Sequence, residues 1–158
     1  MKVADCIVGG FGIRKPSCVL LLGCGMLASI AVAQNGAPSP VLAESLRWMS
    51  APNWSGVQAS WVLGADQKPG TYVLRVKLAS GAKIPPHTHP DERVSTVLIG
   101  AIYVGFGETF DEGRAVAIPT GAIYVAPANV AHFVWAKDGD AMYQETGVGP
   151  TATTPVRR

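Results

Sequence analysis

Alternation is the dominant pattern from Val57 onward. In Thr71–Leu78, Tyr72, Leu74, Val76 and Leu78 fall on one face and Val73, Arg75 and Lys77 on the other. That period of two is the mark of a half-buried strand. Val57–Leu63, Val94–Ile99, Ala101–Phe106, Ala115–Ile118, Ile123–Val125, His132–Trp135 and Ala141–Thr146 are further short β-rich runs split by turn residues. Strands at this spacing predict an all-β sandwich, jelly roll or small barrel over residues 57–148. No stretch keeps a helical apolar period over three turns. Ala43–Met49 carries a weak signal for one short helix or an arm, so residues 34–56 are expected to be linker and N-terminal arm. Residues 149–158 are expected to be a flexible C-terminal tail.

Residues 1–33 break the alternation. Lys2, Arg14 and Lys15 supply positive charge, Cys18–Val32 is apolar or small throughout, and Ala31-Val32-Ala33 is a small-x-small ending. These are the parts of a cleaved signal peptide, and the run is shorter than the roughly 20 residues a spanning helix needs. A retained anchor, or a lipoprotein box at Leu21-Leu22-Gly23-Cys24, are the alternatives. A secreted or periplasmic location follows, with no membrane contact once the leader is removed.

Composition changes the picture in two ways. All 3 cysteines (Cys6, Cys18, Cys24) lie in the leader, so the remaining chain has neither a disulfide framework nor thiolate chemistry. The net charge is only +2, and the basic excess belongs to the leader. Nucleic acid is excluded as the main partner, because phosphate binding needs a clustered basic face. Two short matches carry no function. Gly105-Phe106-Gly107 lacks the third glycine and the helix of a dinucleotide loop, and Ser80-x-x-Lys83 lacks the other motifs of a serine acyl-enzyme. Asn53-Trp54-Ser55 fits a glycosylation sequon.

The candidate chemistry lies in the 3 histidines. His87 and His89 stand two apart, which in a strand puts both imidazoles on one face. Pro85-Pro86 fixes the approach of the chain. His132 opens another predicted strand, and a closed sheet brings it across to the pair as a third leg of a metal site. Around them stand Gly81-x5-His87-x-His89, with Gly100 closing the next strand, and Gly121-x5-Pro127-x-Asn129-x2-His132.

These motifs resemble the two that mark the cupin superfamily, and the chain looks like a small single-domain exported bacterial cupin. The resemblance covers residues 81–132 directly. It implies a double-stranded β-helix (jelly-roll) barrel holding a divalent metal ion (Fe, Zn, Mn, Ni or Cu) on His87, His89 and His132. It also implies a small-molecule ligand and a homodimer. The sequence departs from the pattern at the expected glutamate, whose place is taken by Arg93, with Glu92 one residue early. Strand parity sets 87, 89 and 93 on one face and 92 on the other, unless a bulge near Pro90-Asp91 reverses them. Three readings stay open: Glu92 as fourth ligand, a three-histidine site with Arg93 nearby, or no tightly held metal. Asn129 and Ala136 also replace the family's usual glycine and asparagine.

A buried Arg93 needs a partner. Either Asp91 or Glu92 neutralises it, or it clamps a substrate carboxylate. Gln144 is a candidate polar contact for the same substrate. Tyr72, Tyr103, Tyr124, Phe133, Trp135 and Tyr143 are expected mostly in the core. Trp48, Trp54 and Trp61 are expected to pack the arm on the barrel, or to form a lid or dimer contact. Three functions remain in contention: a metal-dependent oxygenase or isomerase acting on a small organic acid or phenol, a non-catalytic small-ligand-binding module, or a dimer-forming scaffold.

Overall fold

The computed structural model describes residues 39–157. The leader expectations, with the 3 cysteines and the start of the linker, lie outside the described residues. The strands are β1 Met49–Ser50, β2 Val57–Leu63, β3 Gly70–Leu78, β4 Lys83–Thr88, β5 Arg93–Ile99, β6 Ala101–Phe106, β7 Val116–Pro119, β8 Ile123–Ala126, β9 His132–Trp135, β10 Ala141–Gly149 and β11 Thr154–Pro155. They form a six-stranded sheet in the order β1-β2-β3-β10-β5-β8 and a five-stranded sheet in the order β11-β4-β9-β6-β7. Every pairing is antiparallel. Consecutive strands repeatedly change sheet, as β3 to β4, β4 to β5 and β8 to β9 do, which is the jelly-roll arrangement.

The period of two decides what faces inward. On β3, Tyr72, Val76 and Leu78 are buried, and they join Val97, Ile102, Val104, Val134 and Tyr143 in the interior. The opposite face of β3 is covered too: Lys77 lies 3.8 Å from the centre of the Trp48 ring, and Arg75 donates from Nε to Gln144 Oε1 at 3.1 Å. Gly100 turns β5 into β6 at φ +69°, and a Cβ there would strike the Asp140 carbonyl.

The last residues correct the expectation of a flexible tail. Thr154 and Pro155 pair with Thr88 and His87 of β4, and the Val156 amide donates to the Pro86 carbonyl at 2.9 Å. The edge of β4 offers unpaired backbone groups, and the C-terminal segment satisfies them. In the arm, the short helical signal shrinks to a single 3-10 turn at Ala43–Ser45, and the chain then adds β1 to the sheet edge.

Candidate metal centre

His87 and His132 meet because of a bulge. β4 and β9 pair in register as far as Ile84 and Val134, then slip, so that His87 stands opposite His132. Pro85 and Pro86 lie within the slip. Proline has no N–H to give a ladder, and a bulge is a place where a sheet tolerates it. His89 lies just past β4, where the Asn129 amide donates to its carbonyl at 2.7 Å. Asn129 has φ +60°, a left-handed conformation that asparagine tolerates better than most side chains. Its replacement of the usual glycine therefore leaves the loop intact.

The three rings are buried, with centroids 4.4 Å (His87 to His132), 4.8 Å (His87 to His89) and 5.2 Å (His89 to His132) apart. One ligand nitrogen from each lies within 4.8 Å of the others. Every Nδ1 faces a backbone carbonyl: His87 on Pro85 at 2.7 Å, His89 on Ala152 at 2.9 Å, His132 on Val130 at 3.2 Å. A carbonyl only accepts, so each Nδ1 carries the proton and each Nε2 presents its lone pair. Nε2 of His89 and of His132 is buried without a hydrogen-bond partner. An orphaned buried acceptor is unfavourable, and a cation removes that penalty. The backbone carbonyls are the outer partners that orient metal-binding imidazoles. The donor set therefore fits a divalent ion on His87, His89 and His132.

Burial holds all three rings neutral. Desolvation, then the neighbouring His132, lowers His87 to about 3. Desolvation, then the Arg93 charge, lowers His89 to about 2. His132 is lowered mainly by desolvation.

Glu92 is exposed and is not brought to the histidines, so the expected fourth ligand is corrected. No bulge forms at Pro90-Asp91 to invert the parity; the chain turns between β4 and β5 and leaves Arg93 inward, 3% exposed. Gln144 is corrected as well. Residues 141, 143, 145 and 147 of β10 are buried, which turns Gln144 to the outer face, where Arg75 holds it.

Arg93 is neutralised rather than free to clamp a ligand. Its Nη1 donates to Glu145 Oε2 at 2.7 Å, and its Nη2 donates to Thr151 Oγ1 at 2.8 Å and to the Ala152 carbonyl at 3.3 Å. Asp91 lies 3.8 Å from its Nε, accepts from Tyr72 at 2.5 Å, and is bonded by Thr151. Burial opposes the Arg93 charge, but Glu145 first, then Tyr72 and Asp91, hold the guanidinium protonated. Burial pushes the Glu145 carboxyl up while Arg93 draws it down; we assign an ion pair, since both charges are enclosed together. Glu145, Thr151 and Ala152 were not singled out by sequence. The available signal was parity: Tyr143 and Glu145 share a face, and one carboxylate on an apolar face needs a cation.

Gly147 makes room for this network, because a Cβ there would run into the Tyr72 hydroxyl and the Asp91 carboxylate. Gly147→Ala is expected to break that hydrogen bond and to lower stability by about 1–3 kcal/mol. Urea denaturation measures it; a midpoint equal to wild type refutes the steric argument.

A cavity of about 120 Å³ adjoins the histidines, walled by Trp54, Leu74, Val76 and Tyr143, with His87 and His89 in its lining. The Trp54 ring stands 5.5 Å from that of His87. A wider open hollow of about 630 Å³ between the β1–β2 turn and the start of β10 contains none of the histidines.

Two antiparallel sheets closed on a core, with inward histidines on and just beyond the neighbouring strands β4 and β9, define a jelly-roll barrel whose interior fits a divalent metal ion. The chain belongs to the cupin family, whose model matches residues 64–150. It is 35% identical over 68 residues to germin-like protein 5-1 of Oryza sativa subsp. japonica, covering 41% of this chain and 30% of that protein. To germin-like protein subfamily T member 2 of Arabidopsis thaliana it is 33% identical over 67 residues, 42% and 30% of the two chains. The match thus spans under a third of the length of these relatives. Among solved structures, the polyketide cyclase RemF from Streptomyces resistomycificus superposes with TM-score 0.65 at 14% identity, over 77% of this chain and 87% of that one. The DMSP lyase DddQ from Ruegeria pomeroyi DSS-3 gives 0.59 at 15%, over 73% and 64%. At such identities the likeness is one of fold.

Proposed function

We propose that this cupin domain holds one divalent metal ion on His87, His89 and His132 and acts as a metal-dependent oxygenase or isomerase on a small organic molecule. The observation that carries the reading is the set of three buried imidazoles whose Nδ1 protons are all bound by backbone carbonyls. A divalent ion with three protein ligands supplies Lewis acidity and open coordination positions. The chain's own residues do the rest. Pro85, Val130 and Ala152 orient the rings, Trp54 and Tyr143 line the adjoining cavity, and the Arg93–Glu145 pair anchors Ala152 behind His89.

Elemental analysis of the full chain is expected to find about one ion per molecule in wild type and almost none in His87→Ala, which loses a third of the donors. Equal metal in both ends the reading; circular dichroism checks that the variant is folded. Oxygen uptake and product analysis with phenols and keto acids then test turnover.

A non-catalytic ligand-binding module is the second reading. It is favoured by Arg93, a fixed positive charge where the family resemblance leads one to expect a carboxylate. Saturable binding without consumption of any compound would select it. We also infer export, from the apolar leader, and self-association. Cleavage after Ala33 in secreted material, and sedimentation of the shortened chain, are the measurements that check these.

A further inference from the structure

We propose that the cavity beside the histidines takes a small uncharged hydroxy compound of single-ring size, a phenol rather than a carboxylate. The proposal rests on reading the three histidines as the reactive centre, and it narrows the substrate class of that centre.

Size is the first observation. About 120 Å³ is available, far below the roughly 300–1,000 Å³ of sites for drug-sized ligands. An apolar cavity of roughly 150 Å³ holds benzene. At about 120 Å³ this cavity is smaller than that, so a single ring is the upper limit and a substituent on it requires the walls to yield slightly.

Charge is the second. Arg93 and Glu145 both line the cavity, and they are the natural place to look for a group that would hold an acid. Most of the guanidinium is committed: Nη1 donates to Glu145 and Nη2 to Thr151 and Ala152, while Nε is buried without a hydrogen-bond partner, 3.8 Å from Asp91 Oδ1. A ligand carboxylate at Nη1 would have to displace Glu145 and leave it enclosed without its cation, and one at Nε would be set beside the Asp91 carboxylate. The ligand would also sit against the Glu145 charge. With no ion on the histidines an anion is thus opposed twice, which is why the metal-free chain is the arm that decides the ligand class. A bound divalent cation would act in the opposite sense.

Hydrogen bonding is the third. Glu145 uses Oε2 for Arg93, and no described residue donates to its Oε1. A carboxylate oxygen accepts and cannot donate, so the polar atom it suits is a hydroxyl. Apart from the Thr153 hydroxyl, which lies 3.3 Å from His89 Nδ1, the remaining wall is mostly apolar and aromatic, with Trp54, Leu74, Val76 and Tyr143. A neutral ring with one hydroxyl matches wall, charge and acceptor together.

Calorimetric titration of the full chain with phenol and with benzoate, first stripped of metal and then loaded with zinc, tests the proposal. In the stripped chain phenol should bind at least about tenfold more tightly than benzoate, the discrimination expected where a buried charge excludes an anion. Benzoate binding as well as phenol, or no saturable phenol binding at millimolar concentration, overturns it. Loading with zinc should tighten phenol; zinc that binds but leaves phenol unaffected places the ligand elsewhere and also overturns it. Failure to retain zinc strikes the metal reading alone, since the stripped arm still decides the ligand class. Glu145→Gln, which leaves Arg93 with an unbalanced charge, should raise benzoate affinity about tenfold. An unchanged phenol-to-benzoate ratio in a folded Glu145→Gln chain defeats the charge argument.

Discussion

Arg93→Met is expected to lose about 3–5 kcal/mol of stability, because it leaves an enclosed carboxylate without its cation. Both partners are almost fully enclosed, with side chains 4% and 5% exposed. Removing the guanidinium strands Glu145 and takes the donor from Thr151 and from the Ala152 carbonyl. Replacing both partners, as Arg93→Met with Glu145→Leu, should recover most of the loss, since an apolar pair of similar volume often equals a buried ion pair. Guanidinium denaturation of the two single variants and the double gives the coupling between them. A single-variant loss under about 1 kcal/mol, or a double-variant loss equal to the sum of the singles, refutes the ion-pair assignment. The same substitution should weaken metal retention, because Ala152 is the carbonyl that orients His89.

Acid should unfold the metal-stripped protein in a pH range set by the histidines. In the unfolded chain they protonate near 6.5; in the fold His87 waits until about 3 and His89 until about 2, and His132 is lowered as well. The unfolded state therefore binds more protons throughout the interval between those limits. Stability falls as pH drops below about 6.5, at up to about 4 kcal/mol per pH unit for three protons. Glu145 works in the opposite sense. Its carboxyl is raised in the fold, so the native state takes up a proton first and offsets part of one histidine. A small domain with about 5–15 kcal/mol in hand should then unfold between about pH 4 and 5.5. Chemical denaturation in chelator at half-unit pH steps measures the slope, and His132→Asn should reduce it by about a third. Stability that stays flat from pH 7 to 5 would show that the rings are not held neutral.

The strands were largely legible because burial on one face writes a period of two into the sequence; β2, β6 and β9 have the predicted limits. The inward direction of Arg93 and the outward direction of Glu92 follow from the same parity. The convergence of the three histidines was implied by the resemblance, and the ring separations agree with it. The identity of the Arg93 partner was not legible. Glu145 lies 52 residues away on β10, and only the strand order of the folded sheet makes β10 the neighbour of β5. Nor was the role of the C-terminal segment. Residues 150–157 show no alternation, and their order comes from capping the β4 edge and from Arg93 reaching Thr151 and Ala152. Gln144 failed by one position, since a side chain's face is lost when parity is not followed along the strand.

The long separations within the site bear on when it can exist. Glu145 reaches Arg93 across 52 residues, Thr151 across 58, and Ala152 reaches His89 across 63. Contacts this remote form late, and topologies dominated by them fold on the millisecond-to-second scale. Imidazoles alone rank divalent ions by the Irving–Williams order and discriminate little beyond it. An ion held there, as proposed, would accordingly be drawn from the pool around the nascent domain at the moment the sheets close.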